Sequence, residues 1–151
     1  MENQIFTGDY LKDCDILLEH IKDLKYDTPT SRMQKFNISK KIGGSVLYGY
    51  TWRSYISKTK DREYCQEMKR YKTTLHSEHP ELLNIFKEFR DKHFPGFEFT
   101  GVQLNKNYRI LPHKDNANIG KSWLITMGNF TGGRTIVEMP STLKFYDARK
   151  E

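Results

Sequence analysis

Apolar residues recur three or four apart from Asp9 to Lys25. Leu11, Cys14, Leu17, Leu18, Ile21 and Leu24 fall on one side of a helix, with Thr7 or Asp9 placed to cap it. Asp27-Thr28-Pro29 ends the run. A second helix is predicted around Leu82, Leu83, Phe86 and Phe89. Ser77 or His79 can cap it, Pro80 lies near its first turn, Glu81 complements its dipole, and Pro95-Gly96 stops it. Between the helices, Gly43-Gly44 precedes a strand-like run, Ser45 to Trp52. Arg53 to Lys72 is charged and weakly periodic, which predicts a solvated loop able to cover a site. After Phe97 the pattern turns to strands: Phe97–Tyr108, Ser122–Phe130, Arg134–Met139 and Thr142–Tyr146, separated by Gly, Asn and Pro turn signals. Helices first and strands afterwards define an α+β class, the helices packed on one face of an antiparallel sheet.

Composition narrows the picture modestly. The chain has 151 residues, enough for one domain with a real core. Nine Phe and nine Tyr favour a packed globule over disorder, although 29% of the residues are charged. A net charge of +6 suits a nucleic acid or a small dianion, and equally a solvated basic surface. Cys14 and Cys65 lie far apart and read as ordinary thiols of a reducing compartment. The first residues resemble no signal peptide and no segment approaches a membrane span, so an intracellular protein, cytoplasmic or nuclear, is the expectation. Gly43-Gly44 lacks the Gly-Lys-Ser/Thr of a phosphate loop.

The chemistry concentrates after the Phe97 strand. His113 and Asp115 are two apart, so on an extended chain both side chains point the same way, and Pro112 holds the backbone ahead of them. An imidazole and a carboxylate so placed are two of the three donors of a 2-His-1-carboxylate iron site. A His-x-Asp triplet arises by chance in about one such sequence in three, and a plain polar loop is the bland alternative. On the incoming strand Gln103, Asn105 and Asn107 share a face opposite Val102 and Leu104, and such a row of amides needs hydrogen-bond partners if it faces an interior. His20 reads as solvated. His76, His79 and His93 have no common metal-ligand spacing and read as helix-end polar residues. Basic residues interleaved with Tyr55, Tyr64 and Tyr71 have the composition of a surface for single-stranded nucleic acid.

The run QLNKNYRILPHKDNANIGKSWLITMGNFTGGRTIVE resembles the first half of the double-stranded β-helix core of 2-oxoglutarate/iron(II)-dependent oxygenases. It carries an Asn-x-Asn strand, a Pro-His-x-Asp-x-x-Asn-x-Gly-x-Ser turn and a Gly-x-x-x-Gly-Gly hairpin, and the likeness covers about residues 94–148. The resemblance implies one oxygenase-like domain over 1–151: a helical and loop support region, 1–96, packed on a partial jelly-roll sheet, 97–151. It implies iron(II) held by His113 and Asp115, and 2-oxoglutarate as co-substrate, with Asn105, Asn107 and Tyr108 as co-substrate or substrate contacts. Gly132 and Gly133 read as hairpin geometry.

In the family a second His and a later basic residue complete the site. Here every other His precedes His113, and Arg149 and Lys150 do not match the basic position. The expectation is therefore a C-terminally truncated oxygenase, weak or inactive alone; a degenerate relative and a barrel completed by a partner are the other accounts. The motif is reminiscent of the thymine- and methylcytosine-oxidising branch, which makes a nucleic-acid substrate one expectation beside a protein side chain or a metabolite. The alternative from another class is a non-catalytic, basic nucleic-acid-binding module built on Arg53 to Lys72.

Overall fold

A computed structural model of the chain describes residues 4–27, 43–58, 64–108, 120–131, 135–139 and 142–146. The first helix, α1 (Tyr10–Ile21), begins at Asp9, whose side chain accepts from the Lys12 N–H. Its apolar stripe is rotated from the predicted one. Cys14, Leu17 and Ile21 are buried as expected, but Leu11 is 72% exposed and Asp13 takes a place in the interior. Asp13 can do so because four hydrogen bonds converge on its carboxylate. The N–H of Thr7, the hydroxyl of Thr7, the N–H of Gly8 and the ring of His93 reach it at 2.6, 2.8, 2.9 and 2.7 Å. Glu88 secures the same N-terminal segment from the other side, accepting from the N–H groups of Ile5 and Phe6.

Strand β1 (Gly44–Lys58) is the long axis of a three-stranded antiparallel sheet ordered β2-β1-β3, with β2 (Tyr64–Lys72) and β3 (Gly101–Lys106). It changes partner partway. Gly44 to Gly49 pair with β3, and Tyr50 to Lys58 pair with β2. The change falls at Gly49, whose φ of +107° is costly for other residues and whose Cα approaches the Thr100 carbonyl so closely that a Cβ would sit 2.5 Å from its oxygen. Arg53 to Lys72 is thus mostly a two-stranded ribbon, not the loop its charge and weak periodicity suggested. The sequence of these strands has no apolar alternation to read.

Two further helices follow: a short α2 (Thr74–Glu78), capped by the Thr73 hydroxyl, and α3 (Leu82–His93). Leu82, Phe86 and Phe89 form the buried face of α3, and Gly96 adopts φ +83° after it. The core joins Phe6, Cys14, Leu17 and Ile21 to Leu75, Leu82, Phe86 and Phe89, with Tyr48 and Leu104 from the sheet. Strand β3 is shorter than predicted, starting at Gly101. Residues 120–131 contain no strand despite their apolar content. There Trp123 lies flat on Phe94, with centroids 4.8 Å apart, and edge-on to Phe97, so its ring is used at the end of α3. Strands β4 (Thr135–Met139) and β5 (Thr142–Tyr146) pair as an antiparallel hairpin where the sequence placed them. The fold is mixed, with helices and a small antiparallel sheet. Among the described residues no helix is long and apolar enough to cross a membrane.

Candidate functional site

Alternation along β3 sorts its residues. Leu104 turns into the core with Tyr48 of β1, while Gln103 and Asn105 are exposed on the other face. Asn105 stands directly opposite Ser45 in the ladder, and Gln103 opposite Leu47. Ser45 is buried and links the two amides. The Gln103 Nε2 group donates to the Ser45 hydroxyl, which donates onward to Asn105 Oδ1 at 2.7 Å. The direction of this chain has a chemical result. Asn105 keeps both N–H donors of its NH2 and one lone pair of its oxygen for a ligand, and Gln103 keeps its carbonyl oxygen as an acceptor.

Ser45 is held from its backbone as well, exchanging both hydrogen bonds with Asp27 at 2.8 and 3.2 Å. Gly43 and Gly44 make that crowding possible. A Cβ on Gly43 would collide with the Lys106 carbonyl, and one on Gly44 would lie 2.8 Å from the Asp27 carbonyl oxygen and from Tyr26. The glycine pair therefore serves close backbone approach.

Asn107 does not continue the face of Gln103 and Asn105. It lies one residue beyond β3 with φ +49°, a left-handed conformation that Asn tolerates better than most residues, and the two-residue period ends there. Tyr108 follows, half-buried, and its hydroxyl is fully buried without a hydrogen-bond partner among the described residues. A buried hydroxyl in that condition carries a desolvation penalty that a polar ligand could relieve. His113 and Asp115 lie outside the described residues, as do Gly132, Gly133, Arg149 and Lys150.

Of the other histidines, His20 is exposed, and three are held in local contacts, although His76 Nδ1 is buried with no hydrogen-bond partner among the described residues. His93 is hydrogen-bonded to Asp13 and His79 faces Glu81 at 3.3 Å; His76 is 3% exposed and stacked on Tyr48. His76 and His93 stand in the last turns of their helices, as the sequence reading placed them, but their rings are buried. Among the described residues no group of three His, Cys, Asp or Glu side chains is arranged to hold a metal ion. Burial alone would push the Asp13 carboxyl up, but the hydrogen bonds from Thr7, Gly8 and His93 outweigh it and bring the pKa from 3.8 to about 2. Burial pushes the Tyr48 phenol up, so it stays protonated and donates to the His79 carbonyl at 2.7 Å.

Sequence reasoning named Asn105 and Asn107 as contacts, and did not name Ser45. The available signal was a small hydroxyl residue inside a strand-like run beside two glycines. Its meaning depended on the register with β3, sixty positions away. Comparison with models of protein families, with curated proteins and with solved structures finds no match to this chain.

Proposed function

We propose that this chain carries the iron-binding motif of a 2-oxoglutarate/iron(II)-dependent oxygenase, with β3 as part of a double-stranded β-helix sheet. His113 and Asp115 hold iron(II), and Asn105, Asn107 and Tyr108 contact the co-substrate or substrate. The observation that carries this reading is the joint spacing of Asn105, Asn107, Pro112, His113, Asp115, Asn118, Gly120 and Ser122. The polar face of β3 supports it. β3 carries an amide donor fixed by Ser45, and two residues past its end lies a buried phenol with no partner among the described residues; both suit the oxygens of a dicarboxylate.

An imidazole and a carboxylate also match the donor preference of iron(II). When bound, the metal supplies oxidative decarboxylation of 2-oxoglutarate coupled to substrate oxidation. The protein's own part is to hold the metal through His113 and Asp115, to orient a carboxylate through the Asn105 NH2, and to keep water from the Tyr108 hydroxyl. No third protein ligand is assigned, so metal affinity is low and turnover by this chain alone is weak or nil.

Anaerobic titration of the chain with iron(II) and 2-oxoglutarate, followed by the visible charge-transfer band of the chelate, tests the reading. A saturable band lost in His113→Ala and in Asp115→Ala, and weakened in Asn105→Ala, is the expected result. Absence of the band in the wild-type chain, or its persistence in both ligand variants, overturns the reading.

A further inference from the structure

A column of rings runs outward from the core to the base of the β1–β2 ribbon. Phe86 meets Tyr48 edge-on at 5.2 Å, Tyr48 stacks on His76 at 4.8 Å, and His76 meets Tyr50 edge-on at 5.2 Å. Above Tyr50 lies Arg70, its guanidinium carbon 3.9 Å from the ring centroid. In the ladder Trp52 stands opposite Arg70, and Tyr50 opposite Lys72. Residues two apart on a strand share a face, so these four side chains form one surface. Trp52 is 56% exposed, and Arg70 and Lys72 are exposed beside it. Among the described residues neither cation takes part in an ion pair.

This surface is prepared for a ligand in two respects. The column fixes Tyr50 and Arg70 against the core, so little side-chain freedom is left to lose on binding. Two exposed cations with no ion pair among the described residues, beside a half-exposed indole, also form a combination that core packing does not call for.

We propose that the face made by Tyr50, Trp52, Arg70 and Lys72 binds single-stranded nucleic acid, with Trp52 stacking on a base and Arg70 and Lys72 meeting adjacent phosphates. Arg70 and Lys72 are two residues apart on an extended strand, about 6.8 Å, so the two cations follow a stretched backbone. The indole demands an open base face, which a single strand offers and the interior of a duplex does not. Charge alone would also attract an acidic peptide, but such a partner gives the indole no role. The net charge of +6 adds long-range attraction. None of the four residues belongs to the proposed iron site, so the two proposals stand or fall separately.

The experiment uses the full chain with a chelator and without 2-oxoglutarate. Trp123→Phe leaves Trp52 as the sole tryptophan reporter, the sequence having two. Titration with a short oligothymidylate is expected to quench its fluorescence, with affinity falling as salt rises. In a labelled-oligonucleotide assay Trp52→Ala weakens binding roughly tenfold or more. Arg70→Gln and Lys72→Gln each flatten the salt dependence by about 0.7 in log–log slope. His113→Ala changes none of this. Trp52 is exposed and Lys72 lies outside the ring column, so both variants keep the fold, which circular dichroism checks. No quenching, unchanged affinity in Trp52→Ala, or equal binding to polyglutamate or to phosphatidylserine vesicles overturns the proposal.

Discussion

The two faces of the sheet treat polar groups differently. On the helical side most polar contacts that join the elements are closed, the exception being the buried His76 Nδ1, which has no hydrogen-bond partner among the described residues. Asp13 accepts four hydrogen bonds, Glu88 takes two backbone N–H groups, and the Tyr48 hydroxyl donates to His79. On the other side Ser45 links Gln103 and Asn105 in a chain whose ends stay open. Just past the end of β3, the Tyr108 hydroxyl is buried with no hydrogen-bond partner among the described residues. Groups closed on one another stabilise the fold. Groups left open contribute little to it and are the ones available to a ligand. Substitutions on the two sides should therefore separate stability from binding.

The largest effect is expected at Asp13. Its carboxylate is 0% exposed, and truncation leaves the N–H groups of Thr7 and Gly8 and the His93 ring without their acceptor. Asp13→Ala should cost about 3–5 kcal/mol in denaturant unfolding. A cost below about 1 kcal/mol would erase the contrast between the faces. Acid sharpens the same point. The folded pKa is depressed, so the carboxylate's contribution is fully present above the unfolded value of 3.8 and is lost as pH falls through about 2. The stability gap between wild type and Asp13→Asn should be level from pH 7 to about 4 and narrow below that. A gap already closing between pH 7 and 5 would assign the effect to another group.

Gly49 comes next, because it is where β1 passes from one partner to the other. Gly49→Ala combines a φ of +107° with a Cβ 2.5 Å from the Thr100 carbonyl oxygen. It should destabilise by about 1–3 kcal/mol. Hydrogen exchange should show the loss in β3 and at the base of the ribbon together. Exchange confined to the ribbon would mean that the two halves of β1 are independent.

The sequence was most legible where one face is apolar. The Leu82–Phe86–Phe89 stripe and the alternation of Leu104 with Gln103 and Asn105 follow from local periodicity alone, and the α1 cap fell to Asp9, one of the two candidates with Thr7. What escaped is long-range. Asp13 lies in an apolar stripe, but its partner His93 is eighty residues away, so the missing information was a contact and not a pattern. Leu11 entered the predicted stripe for the complementary reason: nothing local reveals that a satisfied carboxylate displaces a leucine. Ser122 to Phe130 has strand composition, yet Trp123 finds Phe94 and Phe97 at the end of α3, and propensity gives way to packing. For the candidate site, Asn105 was legible from its position on the strand. Its orientation was not, because the Ser45 hydroxyl that sets it belongs to another strand.

The smallest expected change in stability is the most discriminating one. Tyr108→Phe removes a single oxygen, and every contact of the ring can remain. If that hydroxyl were part of the closed side, its loss would cost about 1 kcal/mol or more, as for an ordinary buried hydrogen bond. A hydroxyl with no partner gives the opposite sign, since removing it relieves desolvation, and the variant should be as stable as wild type or slightly more so. Affinity for 2-oxoglutarate in the presence of iron(II) should move the other way, falling as a ligand hydrogen bond is lost. Thermal unfolding without ligand and equilibrium titration with it read the two signs on one pair of proteins. Stability and affinity falling together would place Tyr108 among the structural groups, and the open polar groups on that side, among the described residues, would then be the Gln103–Ser45–Asn105 chain alone.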